Sequence, residues 1–234
     1  MKVAIMQPYF LPYLGYFQLM RMADLFVIYD NIQYTKKGWI NRNRFLANSG
    51  ERTMTLPLKK DSDYLNINQR SISQSFEARK LLETIKQSYK RAPYRDTGLA
   101  ILEEILEFDN PNLFSFIERS LHLLSRRLKL ETQIIRSSDV KADHQLKGQE
   151  RVLSICQALK ASVYINPPGG KDLYSAESFR KRNISLRFLA PSLPRYTQTR
   201  PGFIPGLSIL DVLMNCSLPQ IREMLDQATS EEAS

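Results

Sequence analysis

Two cysteines, two histidines and one tryptophan in 234 residues leave little material for several kinds of chemistry. Cys156 and Cys216 stand far apart in apolar, periodic surroundings, with no CxxC pair and no clustered histidine. The sequence therefore gives neither a disulfide framework nor a structural zinc site. No Ser-His-Asp order, HExxH or paired-carboxylate motif occurs, so the common hydrolase chemistries have nothing to rest on. No metal-ligand set is present and no cofactor can be named. Long apolar runs are missing too. The longest uncharged stretch, Val3 to Met20, contains Gln7, Pro8, Pro12, Gly15 and Gln18, which suits neither a spanning helix nor a cleavable signal. The expectation is a reduced, cytoplasmic protein without a membrane span. Glycine is sparse at 9 residues and no tract is of low complexity, which excludes collagen-like and disordered chains.

What is abundant is basic charge: Lys and Arg exceed Asp and Glu by 33 to 24, a formal net charge of +9. Such a surplus favours anionic partners. The basic residues come in short scattered groups (Lys36-Lys37, Arg42 and Arg44, Lys90-Arg91, Arg126-Arg127, Arg180 to Arg182). That scatter suits a small anionic ligand better than a polybasic membrane anchor. With no RNA-recognition motif in the chain, nucleic acid is not the expected partner.

Periodicity sets the fold class. Val3 to Met6 and Leu25 to Tyr29 are short apolar runs with room for a helix over Gly15 to Met22 between them, which predicts parallel strands. Arg42 to Leu46 and Thr53 to Leu56 predict a hairpin turning at Asn48-Ser49-Gly50, with a further short strand around Leu65, Ile67 and Ile72. Helical stripes follow through Leu82, Leu102 and Leu121, with Asn110 as an N-cap ahead of Pro111. Strands at Gln133 to Ile135, Ser162 to Ile165 and Ser185 to Leu189 alternate with helices, and Ser217 opens a capping box. The tail from Thr229 is expected to fray. The reading is α/β: a Rossmann-like three-layer sheet with a helical insert. Residues 1–73 form an N-terminal α/β half with the hairpin, 74–130 the insert, and 131–234 a C-terminal half completing the same domain.

Three loops follow predicted strands and so open onto the ligand-binding end of such a sheet. The first, Gln7 to Phe17, feeds a helix N-terminus that could face an anion, with Gln7, Tyr13, Gly15 and Tyr16 as lining. The second runs from Asp30 to Arg44. Asp30 could serve as base or hydroxyl anchor, Trp39 as a stacking surface, Gln33, Asn41 and Asn43 as polar contacts, and Arg42 as a phosphate ligand. The third, Tyr164 to Tyr174, combines Asn166, Gly169, Gly170, Lys171 and Tyr174, where two glycines would let backbone N–H groups approach an anion. Ser208 and Asp211 open a late helix, and Ser137-Ser138-Asp139 ends a strand. His122 and His144 have no evident partner in sequence.

Gln7-Pro8-x-x-x-Pro12-Tyr13-x-Gly15-Tyr16-Phe17, Asp24-x-Phe26-Val27-x-x-Asp30-x-x-Gln33-Tyr34 and Asn41-Arg42-Asn43 together resemble the WbqC-like family. So do Tyr89-x-x-Ala92-Pro93-Tyr94, Asn166-x-x-Gly169-Gly170 with Tyr174, and Ser208-x-x-Asp211. The resemblance covers nearly the whole chain. It implies a role in bacterial surface-polysaccharide (O-antigen) biosynthesis, on an activated sugar or its substituent. Tyr13-Leu14-Gly15-Tyr16 also looks like the HxGH loop of nucleotidyltransferases with both histidines replaced by tyrosine. A tyrosine donates a hydrogen bond but carries no positive charge near neutral pH, so the likeness implies a Rossmann-like sheet rather than nucleotidyl transfer. The expected function is a transferase moving an acyl or aminoacyl group on a nucleotide-linked sugar. Asp30, Tyr13 and Tyr16 are its catalytic candidates, and a non-catalytic binding or assembly protein of the same pathway is the alternative.

Overall fold

A computed structural model describes residues 1–47 and 50–233. Six strands form one sheet: β1 (Lys2–Met6), β2 (Leu25–Ile28), β5 (Gln133–Arg136), β6 (Val163–Asn166), β7 (Ser185–Ala190) and β8 (Thr229–Glu232), in the order β5-β2-β1-β6-β7-β8. The first five are parallel; β8 runs antiparallel on β7. The near-continuous apolar runs of β1 and β2 are explained by burial on both faces. Alternation sends Val3, Ile5, Leu25 and Val27 to one face, against Val152, Ile155 and Cys156 of α5 (Gly148–Ala158) and Phe179 of α6 (Ala176–Arg180). Ala4, Phe26 and Ile28 face the other way, into a larger core with α1 (Leu14–Met22) and α4 (Leu113–Arg127). This is the Rossmann-like three-layer α/β arrangement.

Between β2 and β5 the chain leaves the sheet. It forms the two-stranded ribbon β3 (Arg42–Ala47) and β4 (Gly50–Thr55), then α2 (Ala78–Ser88), α3 (Arg95–Leu106) and α4. The expected turn residues Asn48 and Ser49 lie outside the described residues. α7 (Ile209–Asn215) and α8 (Leu218–Leu225) close the fold, with the Ser217–Gln220 capping box formed.

Three local expectations are corrected. Leu65 to Ile72 forms no strand but a single tight helical turn at Ile67–Gln69 flanked by isolated bridges, because Asn66 and Gln69 cap each other. The N-cap of α4 is Asn112, whose side chain accepts from the Ser115 N–H; Asn110 accepts instead from the Asn112 N–H, one step outside. The acidic tail does not fray at Thr229: β8 registers Glu231 against Phe188 and Glu232 against Arg187, adding ladder bonds that outweigh its poor apolar content.

Asp211 lies at the centre of a buried polar knot. Its carboxylate accepts from Tyr89 Oη at 2.8 Å, Tyr196 Oη at 2.7 Å and Gln198 Nε2 at 3.1 Å, while Tyr89 Oη accepts from the Leu46 N–H at 3.0 Å. α7, the end of α2, β3 and the 196–198 segment are thus bound through one carboxylate. Burial pushes its pKa up, and the three donors compensate only in part. Tyr89→Phe keeps the ring but strands the Leu46 N–H and removes one carboxylate donor. It is expected to cost about 1–3 kcal/mol in urea unfolding with an unchanged m-value; an undiminished midpoint would show that the knot contributes nothing.

Candidate functional site

The strand order reverses between β1 and β6, and ligands of open parallel sheets sit at the carboxyl ends of strands beside such a reversal. Gln7 follows β1, Tyr29 to Asn31 follow β2, Ser137 and Ser138 follow β5, and the segment Pro167 to Tyr174 follows β6. All three loops singled out in the sequence therefore begin at this end of the sheet.

The loop from Gln7 to Tyr13 is fixed by its carbonyls. Leu11 is held at φ +46°, a left-handed conformation that a branched side chain takes only under constraint. The constraint is visible: Asn43 Nδ2 donates to the carbonyls of Phe10 (3.1 Å) and Leu11 (2.8 Å), and Ser208 Oγ donates to the same Leu11 carbonyl (2.7 Å). The Phe10 N–H reaches Ile40 O, and the Ile209 N–H reaches Pro12 O. Asn43 and Ser208 are both buried and lie beneath the loop as its clamp. Tyr16 is buried as well, its hydroxyl donating to Gln7 O at 3.0 Å. Tyr13 folds its ring across the first turn of α1, so a Cβ at position 15 would fall 2.4 Å from Tyr13 Cε2. Glycine at 15 leaves room for the Tyr13 ring in this position, which any side chain there would push aside.

So braced, the loop forms one wall of a cavity of about 240 Å³ lined by Tyr9, Pro12, Tyr13, Trp39, Asn43, Arg44 and Gly206. Trp39 is 40% exposed, a large area for an indole unless something covers it. The guanidinium carbons of Arg42 and Arg44 lie 5.6 and 5.5 Å from its ring centre. Arg42 also donates to the carbonyls of Gly38 and Lys37, holding the turn that carries Trp39, and Arg44 pairs with Glu51 at 3.0 Å. Burial pushes the Tyr9 and Tyr13 phenols above their ordinary values, so both keep their protons at neutral pH and act as donors.

Asp30 is nearly inaccessible and saturated. Oδ1 accepts from Ser137 Oγ (2.8 Å) and the Ser138 N–H (3.0 Å), and Oδ2 from Asn68 Nδ2 (2.9 Å). Burial alone would raise its pKa, but the bonds from Ser138, Ser137 and Asn68 outweigh it and hold the carboxyl below the usual range. A carboxylate held this way is a weak base and a strong tie between the ends of β2 and β5. Gln33 donates to Asp63 O, and Asn41 bridges Tyr34 Oη and Leu56 O, so both bind neighbouring chain segments.

In the third loop, Asn166 accepts from Tyr164 Oη at 3.0 Å, and a Cβ on Gly170 would fall 1.8 Å from its Nδ2. Gly170 thus makes room for Asn166. At Gly169 nothing lies within 4 Å of an added Cβ. Lys171 turns toward Glu231 at 3.7 Å, over the β7–β8 edge. Tyr174 packs edge-on against Tyr164. Asp211 belongs to the knot described above. Sequence reasoning missed Arg151 on α5, which donates to Asn31 O and Oδ1. These partners are 120 positions apart, so no spacing rule could have joined them. His144 gains in space the partners it lacked in sequence, Asn31 and Val140 O. Among the described residues no group of three or more His, Cys, Asp or Glu stands together, and no helix is long and apolar enough to cross a membrane.

Because its folded pKa is depressed, Asp30 stabilises the native state above the unfolded carboxyl value near 3.8, and that contribution is lost as pH falls through the folded value. In urea titrations from pH 7 to pH 3, wild type is expected to exceed Asp30→Asn most at neutral pH, the gap closing below about pH 4. A gap independent of pH would mean that Asp30 does not titrate with folding.

The chain matches the WbqC-like protein family over residues 7–223. It is 31% identical over 218 residues to the uncharacterized protein Rv1507c of Mycobacterium tuberculosis (strain ATCC 25618 / H37Rv), covering 92% of this chain and 93% of that protein. No solved structure matches it. With most of its length matched to the family, and with the loop after β1 lying inside the matched region, this chain belongs to the WbqC-like protein family.

Proposed function

We propose that the protein acts on an activated, anionic sugar, nucleotide-linked, in bacterial surface-polysaccharide (O-antigen) biosynthesis, and that it transfers an acyl or aminoacyl group to or from that sugar in the cytoplasm. The observation that carries the reading is the Trp39 cavity. An indole half open to solvent, braced by two guanidinium groups and bordered by two protonated tyrosines, offers a stacking face together with phenol donors for phosphoryl and hydroxyl oxygens. It lies against the loop leaving β1, at the end of the sheet where phosphorylated ligands gather. The family's association with polysaccharide biosynthesis genes supports the choice of substrate class.

In this reading Tyr9 and Tyr13 donate to the ligand, Trp39 stacks on its ring, and Gln7 and Asn166 border the crevice. Asn43, Ser208, Tyr16, Gly15 and Asp30 hold the loops that shape it. A second reading, a non-catalytic binding or assembly protein of the same pathway, is favoured by one specific observation: Asp30 and Tyr16 are buried, which leaves half-buried Tyr13 as the one member of the catalytic trio that lines the cavity.

Trp39 is the only tryptophan in the chain, so its emission reports on the cavity directly. Titration with nucleotide-linked sugars is expected to quench it saturably, and Trp39→Ala to weaken binding measured by calorimetry by about 1–3 kcal/mol, the scale of a base-stacking contact. Unchanged emission and no heat across the panel would reject the reading. Incubation with acyl and aminoacyl donors then separates transferase from binder: a mass increment on the sugar marks transfer, and binding without any increment marks the second reading.

A further inference from the structure

We propose that Arg151 is the anion-binding cation of this site and takes the phosphoryl oxygens of a nucleoside diphosphate; the inference rests on the nucleotide reading above. Arg151 lies in the first turn of α5 with its guanidinium carbon 5.0 Å from the ring centre of Tyr29. Tyr29 is the residue that follows β2, and its N–H bonds to Met6 O at 2.7 Å. The cation is therefore anchored where the chain leaves the carboxyl end of β2, next to the end of β1.

Its orientation is set by neutral groups. Nη2 donates to Asn31 O at 3.0 Å and Asn31 Oδ1 at 2.7 Å. Ser137 Oγ lies 2.7 Å from Asn31 Oδ1 and 2.8 Å from Asp30 Oδ1, its single proton shared between the two acceptors. On the other side, His144 Nε2 faces the Val140 carbonyl at 2.9 Å, which can only accept, so Nε2 carries the proton. Nδ1 is then the acceptor for Asn31 Nδ2 at 3.2 Å. A relay of amide, hydroxyl and imidazole thus fixes the guanidinium plane before any ligand arrives.

What the relay lacks is a counter-charge. Among the described residues no carboxylate pairs with Arg151, its Nη1 has no hydrogen-bond partner, and its buried Nε has none either. The other cations that sequence pointed to are committed: Lys171 to Glu231, Arg44 to Glu51, and Arg42 to two backbone carbonyls. With Nη2 engaged by Asn31 and Nε buried, Nη1 is the nitrogen left to meet a ligand, and a cation oriented in this way with no carboxylate beside it suits a phosphoryl oxygen. Asn31 and Gln7 follow neighbouring parallel strands, so Arg151, held on Asn31, stands at the same end of the sheet from which the loop carrying Tyr9 leaves.

The test compares wild type, Arg151→Gln and Arg151→Lys by calorimetry against nucleoside diphosphates, their parent nucleosides and inorganic pyrophosphate. Arg151→Gln is expected to lose tenfold or more in affinity for the diphosphates and pyrophosphate with nucleoside affinity unchanged, and Arg151→Lys to recover part of the loss. Equal diphosphate binding by wild type and Arg151→Gln, or equal losses for diphosphate and nucleoside, would overturn the role of Arg151 and leave the Trp39 reading standing. Failure of wild type to bind any of these ligands would instead remove the nucleotide reading itself and this inference with it. Should Arg151→Gln not fold, pyrophosphate must still displace the diphosphate but not the nucleoside from wild type; no displacement overturns the assignment.

Discussion

Two side chains meeting one carbonyl oxygen hold the loop that leaves β1 in place. The Leu11 carbonyl receives Asn43 from the β3–β4 ribbon and Ser208 from the start of α7, both downstream of it, one by 32 positions and the other by 197. Neither bond is strong by itself, since each contributes on the order of 1 kcal/mol net. Their joint effect is to make a left-handed leucine the least costly state of the loop. Without that loop shape the Tyr13 ring would not lie across α1, and the Trp39 cavity would lose a wall.

The same constraint explains why so many polar residues at this end of the sheet face inward. Asn43, Ser208, Asp30 and Asp211 each satisfy backbone or hydroxyl groups that burial would otherwise leave unpaired. They orient the loops whose side chains line the cavity. The groups left facing the opening are aromatic rings and phenols, with two guanidiniums braced against carbonyls and a carboxylate. Away from that cavity, Arg151 is braced on Asn31 with no carboxylate partner among the described residues.

The sheet was legible because its signal is local. Val3 to Met6 and Leu25 to Ile28 are unbroken apolar runs of the length a doubly covered parallel strand needs, and the capping box at Ser217 is written in four consecutive residues. The segment from Leu65 to Ile72 misled because alternating leucine and isoleucine also fits a chain pinned by Asn66 and Gln69 into a single turn. The tail misled for the opposite reason: Thr229 to Glu232 has no apolar pattern, and its pairing is supplied by the exposed edge of β7. At the candidate site the sequence located the loops but not the direction of their side chains. Asp30 reads the same whether its carboxylate faces solvent or three donors, and Arg151 acquires meaning only when α5 returns to Asn31.

β1 lies in the middle of the sheet, yet one of its two neighbours, β6, is written far downstream, pairing Lys2 with Val163 and Ala4 with Ile165. During synthesis at about 5–20 residues per second, the central strand waits on the order of ten to thirty seconds for that neighbour to emerge. Over that interval it can pair with β2 and rest on α1, while its other edge stays open. The nascent chain thus carries a half-sheet with an open edge for as long as translation takes to pass from residue 30 to residue 160.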